Sequence, residues 1–144
     1  MGILLVNGSL LFAQNKGFPG KNAVLKYFIS SPDVIGLFIF TKPAKDSVII
    51  IADTGKMLIQ AEIKYFGDLP IILDTTEAIK DSIKKGGIFS IKKRQRNFLI
   101  LLSGKLDGKM VFSLYNPLTN GNCFIRFTRR KQLYYIEKIS CGWF

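Results

Sequence analysis

Few side chains in this 144-residue chain could carry out chemistry. Histidine is absent, which removes the most frequent general base and the usual activator of a serine or cysteine nucleophile. The two cysteines, Cys123 and Cys141, cannot form a zinc site by themselves. Gly104-Lys105 lacks the upstream glycines and the Ser/Thr of a phosphate-binding loop. The sequence therefore predicts a non-catalytic protein with no metal and no cofactor.

Asp53-Thr54-Gly55 is the one tripeptide that could be catalytic. It follows the apolar run 48–52 and resembles the active-site tripeptide of retroviral-type aspartic proteases, in which two chains each donate one aspartate and the pair share a proton. The supporting apolar-Gly-Arg segment of those proteases is missing here. Asp, Thr and Gly are also favoured in turns, so we interpret the tripeptide as a turn.

The cysteines and the N-terminal residues indicate the cellular compartment and the extent of the folded domain. A helix over 123–140 would hold the two thiols about 27 Å apart along its axis, too far for a disulfide. Free thiols, and an apolar start with no basic region before it, predict a reducing cytoplasm. Asn7-Gly8 is typical of a type I′ turn, so residues 1–20 are predicted to be an N-terminal extension or hairpin. Residues 21–144 then form a single domain, and no apolar run is long enough to cross a membrane.

The positive charge is concentrated in one third of the chain. Residues 84–131 contain twelve Lys and Arg and one acid, Asp107, a net charge of +11. Residues 1–83 carry eight bases and eight acids, and residues 132–144 add only Lys138 and Glu137. The whole formal charge of the protein therefore lies in residues 84–131, which indicates a surface that attracts an anionic partner.

The apolar pattern predicts two helices and several strands. A helix is predicted at 21–31, ended by Pro32, with an apolar face made of Val24, Leu25, Phe28 and Ile29. The capping-box spacing of residues 74–77 predicts a second helix at 75–85. Apolar runs predict central strands at 34–40 and 48–51. Runs at 88–91, 98–102 and 110–115, with an Asp107-Gly108 turn, predict an antiparallel meander.

Residues 123–140 fit two patterns. One is a helical stripe made of Phe124, Phe127, Leu133, Ile136 and Ile139; the other is a hairpin around Arg129–Lys131. We predict the helix. The expected fold class is therefore α+β, an antiparallel sheet of about five to seven strands flanked by N- and C-terminal helices and a middle helix.

The basic stretch has three interpretations. Charges on a strand edge discourage aggregation and require no partner. Single-stranded nucleic acid is the second, since phosphates need cations and bases stack on aromatic rings, although no helix-turn-helix, zinc finger or RNP motif is present. The aromatic residues that lie among the lysines and arginines of this stretch are Phe89, Phe98, Phe112, Tyr115 and Phe124. Their positions also fit a hydrophobic core. The third interpretation is an acidic protein surface or an anionic lipid headgroup.

Two further segments are KKGGIFSIKK at 84–93 and VFSLYNPLTNGNC at 111–123, the latter followed by a basic tail that contains tyrosines. These segments resemble profilins, particularly those of the plant type. The similarity covers residues 84–140. The chain departs from the family by inserting a strand at 97–103 and by lacking a tryptophan in its first helix.

The resemblance implies a cytoplasmic, cytoskeletal protein that binds actin monomers and regulates actin polymerisation. It implies that actin, or another acidic partner, contacts Lys92, Lys93, Arg96, Phe98, Lys105, Lys109, Tyr115, Arg126, Arg129 and Arg130. It further implies that proline-rich peptides stack on Tyr27, Tyr134, Tyr135 and Trp143. Anionic phosphoinositides would compete with actin for the basic face.

The order of elements is also similar to that of the roadblock/LC7 family. That alternative implies a homodimeric scaffold for a small GTPase. A hairpin at 123–140 would contradict the profilin interpretation, which needs a terminal helix beside the first one.

Overall fold

The computed structural model describes residues 16–39, 47–53, 55–74, 98–117 and 119–143. The helix predicted at 75–85, the strand predicted at 88–91 and the N-terminal turn at Asn7-Gly8 lie outside these residues. Within them, three short helices accompany a seven-stranded sheet.

The first helix, α1 (Lys21–Ser30), confirms the prediction for this region. Its buried residues are Val24, Leu25, Phe28 and Ile29, the four that the helical pattern assigned to the core. The helix ends because Ser31 adopts an extended backbone conformation, with φ −63° and ψ 129°, before Pro32.

The strand predicted at 34–40 is wrong, because residues 34–38 belong to a second helix, α2 (Pro32–Phe38). Pro32 occupies the first helical turn, where its fixed φ is favourable and its missing N–H costs nothing. Asp33 adds a negative charge at the helix N-terminus. A continuous apolar run does not distinguish a buried strand from a buried helix, and here the start signal decides.

The strands form one mixed sheet in the order β2-β3-β1-β4-β5-β6-β7. The first part contains β1 (Ile49–Ala52), β2 (Tyr65–Phe66) and β3 (Leu69–Asp74), with a one-turn helix, α3 (Met57–Gln60), after β1. Strand β1 pairs in parallel with both β3 and β4. The prediction of a strand at 48–51 is confirmed by β1, which lies inside the sheet.

The second part of the sheet is an antiparallel meander of four strands. They are β4 (Phe98–Leu106), β5 (Lys109–Asn116), β6 (Gly121–Arg130) and β7 (Leu133–Trp143). The β4–β5 hairpin turns at Asp107-Gly108, whose φ angles are 52° and 77°, as its sequence predicts. The part of the predicted meander that lies within the described residues, the runs at 98–102 and 110–115, is therefore confirmed.

The helix predicted at 123–140 is wrong, since this region forms the β6–β7 hairpin. Burial alternates along β6, with Cys123, Ile125 and Phe127 buried and the residues between them partly exposed. That period of two is typical of a strand with one covered face. The turn falls at Lys131-Gln132, where Lys131 has φ 58°.

The expected fold class is wrong as a whole. The sheet is mixed and strongly curled into a half-barrel, and β7 stands where the C-terminal flanking helix was expected. One face carries the main core, in which α1 and α2 pack on residues such as Leu114, Ile125 and Ile136. The opposite face of β5–β7, which we call the outer face, consists of Val111, Ser113, Tyr115, Asn122, Phe124, Arg126, Thr128, Tyr135, Lys138 and Ser140.

The connector before α1 is attached to the sheet. Phe18 is 5% exposed, and its backbone N–H donates to the Tyr134 carbonyl at 2.8 Å while Tyr134 N–H donates back at 2.9 Å. The Phe18 ring also lies edge-on to Tyr27, with ring centroids 5.5 Å apart. Gly17 approaches Leu133 so closely that an added Cβ would lie 2.5 Å from its Cδ1.

Candidate anion-binding site

Two hairpin turns meet at one end of the meander. Because successive antiparallel strands reverse direction, the β4–β5 turn at Asp107-Gly108 and the β6–β7 turn at Lys131-Gln132 lie at the same end of the sheet. Each turn is bordered by basic residues. The connectivity therefore brings together cations that are about 25 positions apart in sequence.

A groove of about 740 Å³, which we call the basic groove, lies between these turns. Its lining includes four cations and one acid together with apolar and neutral residues. The lining residues are Lys105, Gly108, Lys109, Met110, Phe127, Thr128, Arg129, Arg130, Tyr135, Ile136 and Glu137. The excess of positive charge makes the groove suitable for an anionic group.

Glu137 bridges cations from two neighbouring strands. Its Oε1 lies 3.1 Å from Nζ of Lys109, and its Oε2 lies 3.3 Å from Nε of Arg126. The Arg126 Nε is buried, yet its contact with Glu137 lacks the geometry of a hydrogen bond. These side chains are roughly one-third to one-half exposed, so each pair contributes only about 0–1 kcal/mol to stability. These ion pairs therefore fix the positions of the Lys109, Arg126 and Glu137 side chains but add little to the stability of the fold.

The reason that Glu137 reaches both cations lies in a β-bulge. The β6–β7 register shifts between Arg126 and Phe127, which pair with Lys138 and Ile136 respectively. Glu137 is the extra residue on β7, and a bulge re-aims the side chains next to it. The bulge thus places a carboxylate among the groove cations.

Two arginines follow one another at the end of β6. The guanidinium carbon of Arg130 lies 4.2 Å from the centroid of the Tyr135 ring, a cation–π contact. Nε of Arg129 donates to the carbonyl oxygen of Lys131 at 3.1 Å. Both contacts restrict the side chains, which reduces the entropy that would be lost when the groove binds a ligand.

The residues assigned to an acidic partner are only partly brought together. Lys105, Lys109, Arg129 and Arg130 line the basic groove, and Arg126 adjoins it through Glu137. Phe98 is 2% exposed and packs with Ala52 and Ile100, so it does not present an apolar anchor. Tyr115 lies on the outer face, away from the two turns that border the basic groove. Its hydroxyl lies 2.9 Å from Oδ1 of Asn120, in the turn between β5 and β6. Lys92, Lys93 and Arg96 lie outside the described residues.

The residues assigned to proline-rich peptides do not form one site. Tyr27 and Tyr134 both pack against the main core and are linked through Phe18. Tyr135 lies on the outer face beneath Arg130. Trp143 lies at the far end of β7, about 30 Å from Tyr134 at the usual rise per residue. It pairs with Gly121, where an added Cβ would lie 3.1 Å from its ring.

The cysteines form a disulfide, so the prediction of free thiols is wrong. Cys123 and Cys141 are register partners on β6 and β7, with their α-carbons 4.1 Å apart. The prediction failed because it depended on a helix over 123–140. The argument from free thiols to a reducing compartment loses its premise, since disulfides persist mainly in oxidising environments.

Asp53 has a structural role in this chain. It is fully buried, and its carboxylate accepts the backbone N–H of Met57 at 2.9 Å and of Leu58 at 2.8 Å. Lys56 N–H donates to the Asp53 carbonyl at 3.1 Å. Both carboxylate oxygens are thus engaged in holding the turn from β1 into α3, which supports the interpretation of this tripeptide as a turn.

Sequence reasoning did not identify Glu137 as part of the site and assigned Tyr135 to a different one. Both assignments follow from the helix predicted over 123–140, which places neither residue beside the β4–β5 turn. The isolated acid Glu137 in an otherwise basic region was the available signal.

Comparison with known protein families, curated proteins and solved structures found no match. No helix within the described ranges is long and apolar enough to span a membrane.

Proposed function

We propose that this chain is a non-catalytic binding protein that holds an anionic partner in the basic groove. The observation that carries the proposal is that Lys105, Lys109, Arg129 and Arg130 all line one groove between two hairpin turns, Lys109 and Arg130 from the outer-face side of their strands and Lys105 and Arg129 from the core side. Among the groove-lining residues, Glu137 is the single acid. Clustered cations raise the local concentration of an anion and speed its association, in a way that salt screens.

The scaffold favours recognition without large rearrangement. The cations project from paired strands and tight turns, and Arg129 and Arg130 are already restrained by Lys131 and Tyr135. A site built on ordered strands loses less conformational entropy on binding than one on a flexible segment. Most of the affinity should therefore come from charge, and it should fall steeply with salt.

An actin monomer is the partner that the profilin resemblance implies, but that interpretation requires a terminal helix at 123–140, where the chain forms the β6–β7 hairpin. The contacts would be made by strands and turns, because β7 stands where the family has its last helix. An actin partner also requires a cytoplasmic location, whereas the disulfide is more typical of oxidising compartments. We do not extend the proposal to proline-rich peptides, since Tyr135 and Trp143 are remote from Tyr27.

The proposal is tested with three kinds of anionic probe: actin monomer, vesicles that contain phosphoinositide, and inorganic polyphosphate. The wild type is compared with a Lys105→Gln/Arg129→Gln variant and with a control variant, Lys56→Gln/Lys64→Gln, which removes two exposed cations away from the groove. We expect the groove variant to lose affinity for whichever probe binds, while the control retains it. Equal loss in both variants, or no salt-sensitive binding by the wild type, contradicts the proposal. A dimer in size-exclusion chromatography would favour the roadblock alternative.

A further inference from the structure

We infer that the anionic partner is a single-stranded nucleic acid, which enters the basic groove and continues along the outer face. The inference rests on the proposed function, and it adds three aromatic rings to the groove cations. These rings are Tyr135, Phe124 and Tyr115, one on each of the strands β7, β6 and β5.

The pairing register places the three rings on the same face. Tyr135 is opposite Thr128, which is four residues from Phe124 on β6 and therefore on the same side. Tyr115 is opposite Asn122, which is two residues from Phe124. Burial agrees, since the intervening residues of β5 and β6 are buried in the main core while the three rings are only partly buried. The three rings are therefore partly exposed on the outer face, where Arg130 covers Tyr135 and Tyr115 packs against the cluster of Ala52, Phe98 and Ile100.

The rings form a diagonal row across the meander. Phe124 faces Ser113, two residues from Tyr115, so these two rings are about 8 Å apart. Phe124 and Tyr135 are separated by four residues along the strands and one strand across, about 14 Å. Single-strand-binding surfaces combine a positively charged groove with aromatic rings on which successive bases stack, since every base has a face that can stack.

Cations accompany two of the three rings. Arg130 covers Tyr135 with its guanidinium carbon 4.2 Å from the ring centroid, and Nζ of Lys138 lies 5.9 Å from the centroid of Phe124. A guanidinium plane also stacks on bases, so a base can extend the stack of Tyr135 and Arg130. Lys138 is exposed and register-paired with Arg126, which places positive charge beside the row where a phosphate backbone would run.

The row of rings distinguishes a single strand from other anions. Bases in a duplex are already stacked, so the rings could reach only unpaired bases. An acidic protein surface or a lipid headgroup would use the cations of the groove but would not require rings on three successive strands. Phe124 and Tyr115 lie beyond the groove lining, so a ligand that reaches them must be extended.

The inference is tested by fluorescence titration with two probes, a mixed-sequence DNA strand of about 12 nucleotides and inorganic polyphosphate, which carries charge but no bases. The variants are Phe124→Leu and Tyr135→Leu, with Tyr65→Leu as a control that alters a 62% exposed ring on β2. Stacking of one base corresponds to about a 5- to 150-fold change in affinity. We expect that loss for DNA in the Phe124 and Tyr135 variants, little change for polyphosphate, and no change in the control. Circular dichroism checks that every variant is folded.

Other outcomes separate the inference from the proposed function. If polyphosphate or actin binds and the Phe124 and Tyr135 variants hold DNA no more weakly than the wild type, the groove binds anions but the inference of a single strand is wrong. Equal losses for DNA and polyphosphate in these variants also contradict stacking. If neither probe binds in a salt-dependent way, the proposed function fails along with the inference.

Discussion

Cys123 and Cys141 lie directly opposite each other on β6 and β7, joined by a disulfide that closes a loop over a sequence separation of 18. Cys123 is fully buried against the main core, and Cys141 packs on it from the edge of the cluster. The disulfide links β7 covalently to β6. It lies towards the end of the hairpin opposite the Lys131 turn, and so away from the basic groove.

Replacing both cysteines by alanine should lower the free energy of unfolding by about 3 kcal/mol, the value expected for a loop of this length. Urea denaturation of the double variant and of the oxidised wild type measures the difference. A reductant should shift the midpoint of the wild type and leave that of the double variant unchanged. A wild-type midpoint that does not respond to reductant would show that the bond contributes nothing to stability.

Phe18→Ala should lower the free energy of unfolding by about 3–5 kcal/mol, because it leaves a cavity between α1 and β7. Tyr65→Ala is the matched control, since it removes an aromatic ring that is 62% exposed. Thermal unfolding of both variants measures the contrast. If the two changes were equally mild, the segment before α1 would be a loose attachment and not part of the domain.

Asp53→Ala should lower the free energy of unfolding by about 2–4 kcal/mol, because the N–H groups of Met57 and Leu58 lose a charged acceptor. Asp53→Asn should also destabilise, since an amide offers one acceptor oxygen instead of two. Asp68→Ala, at an exposed acid in the β2–β3 turn, is the control. Chemical denaturation that ranks Asp68→Ala as the most damaging change would contradict the capping role.

Glu137→Gln should raise the affinity for a polyanion a few-fold while changing the stability little. The substitution keeps the size of the side chain and removes the negative charge that now lies between Lys109 and Arg126. Titration with polyphosphate at low salt measures the effect. A loss of affinity would mean instead that Glu137 holds the two cations in their binding positions.

The local pattern predicted those elements whose signals were unambiguous. The helix at Lys21–Ser30 has a clear apolar face, and the Asp107-Gly108 turn can adopt the positive φ angles that its hairpin requires. The concentration of charge in residues 84–131 included the four cations that line the basic groove. The local sequence pattern could not predict that Lys105 and Arg129 line the same groove, because this depends on the β4–β5 and β6–β7 turns lying at the same end of the sheet.

The errors arose where two periods fit the same residues. Between residues 123 and 140, apolar side chains satisfy a helical stripe and a hairpin alike, and tertiary pairing with β5 decides for the hairpin. That one choice hid the disulfide, the bulge at Glu137 and the outer-face position of Tyr135. The parallel pairing of β1 with β3 and β4 is a non-local contact that no local pattern encodes.

The salt dependence of polyanion binding tests the central claim most directly. The logarithm of the association constant is measured against the logarithm of salt concentration for the wild type, for Arg129→Gln/Arg130→Gln and for the Lys56→Gln/Lys64→Gln control. With single-stranded DNA as the polyanion, we predict a steep negative slope for the wild type and the control, and a slope shallower by about 0.7 for each groove arginine removed. Identical slopes in all three proteins would contradict the assignment of the anionic partner to the basic groove.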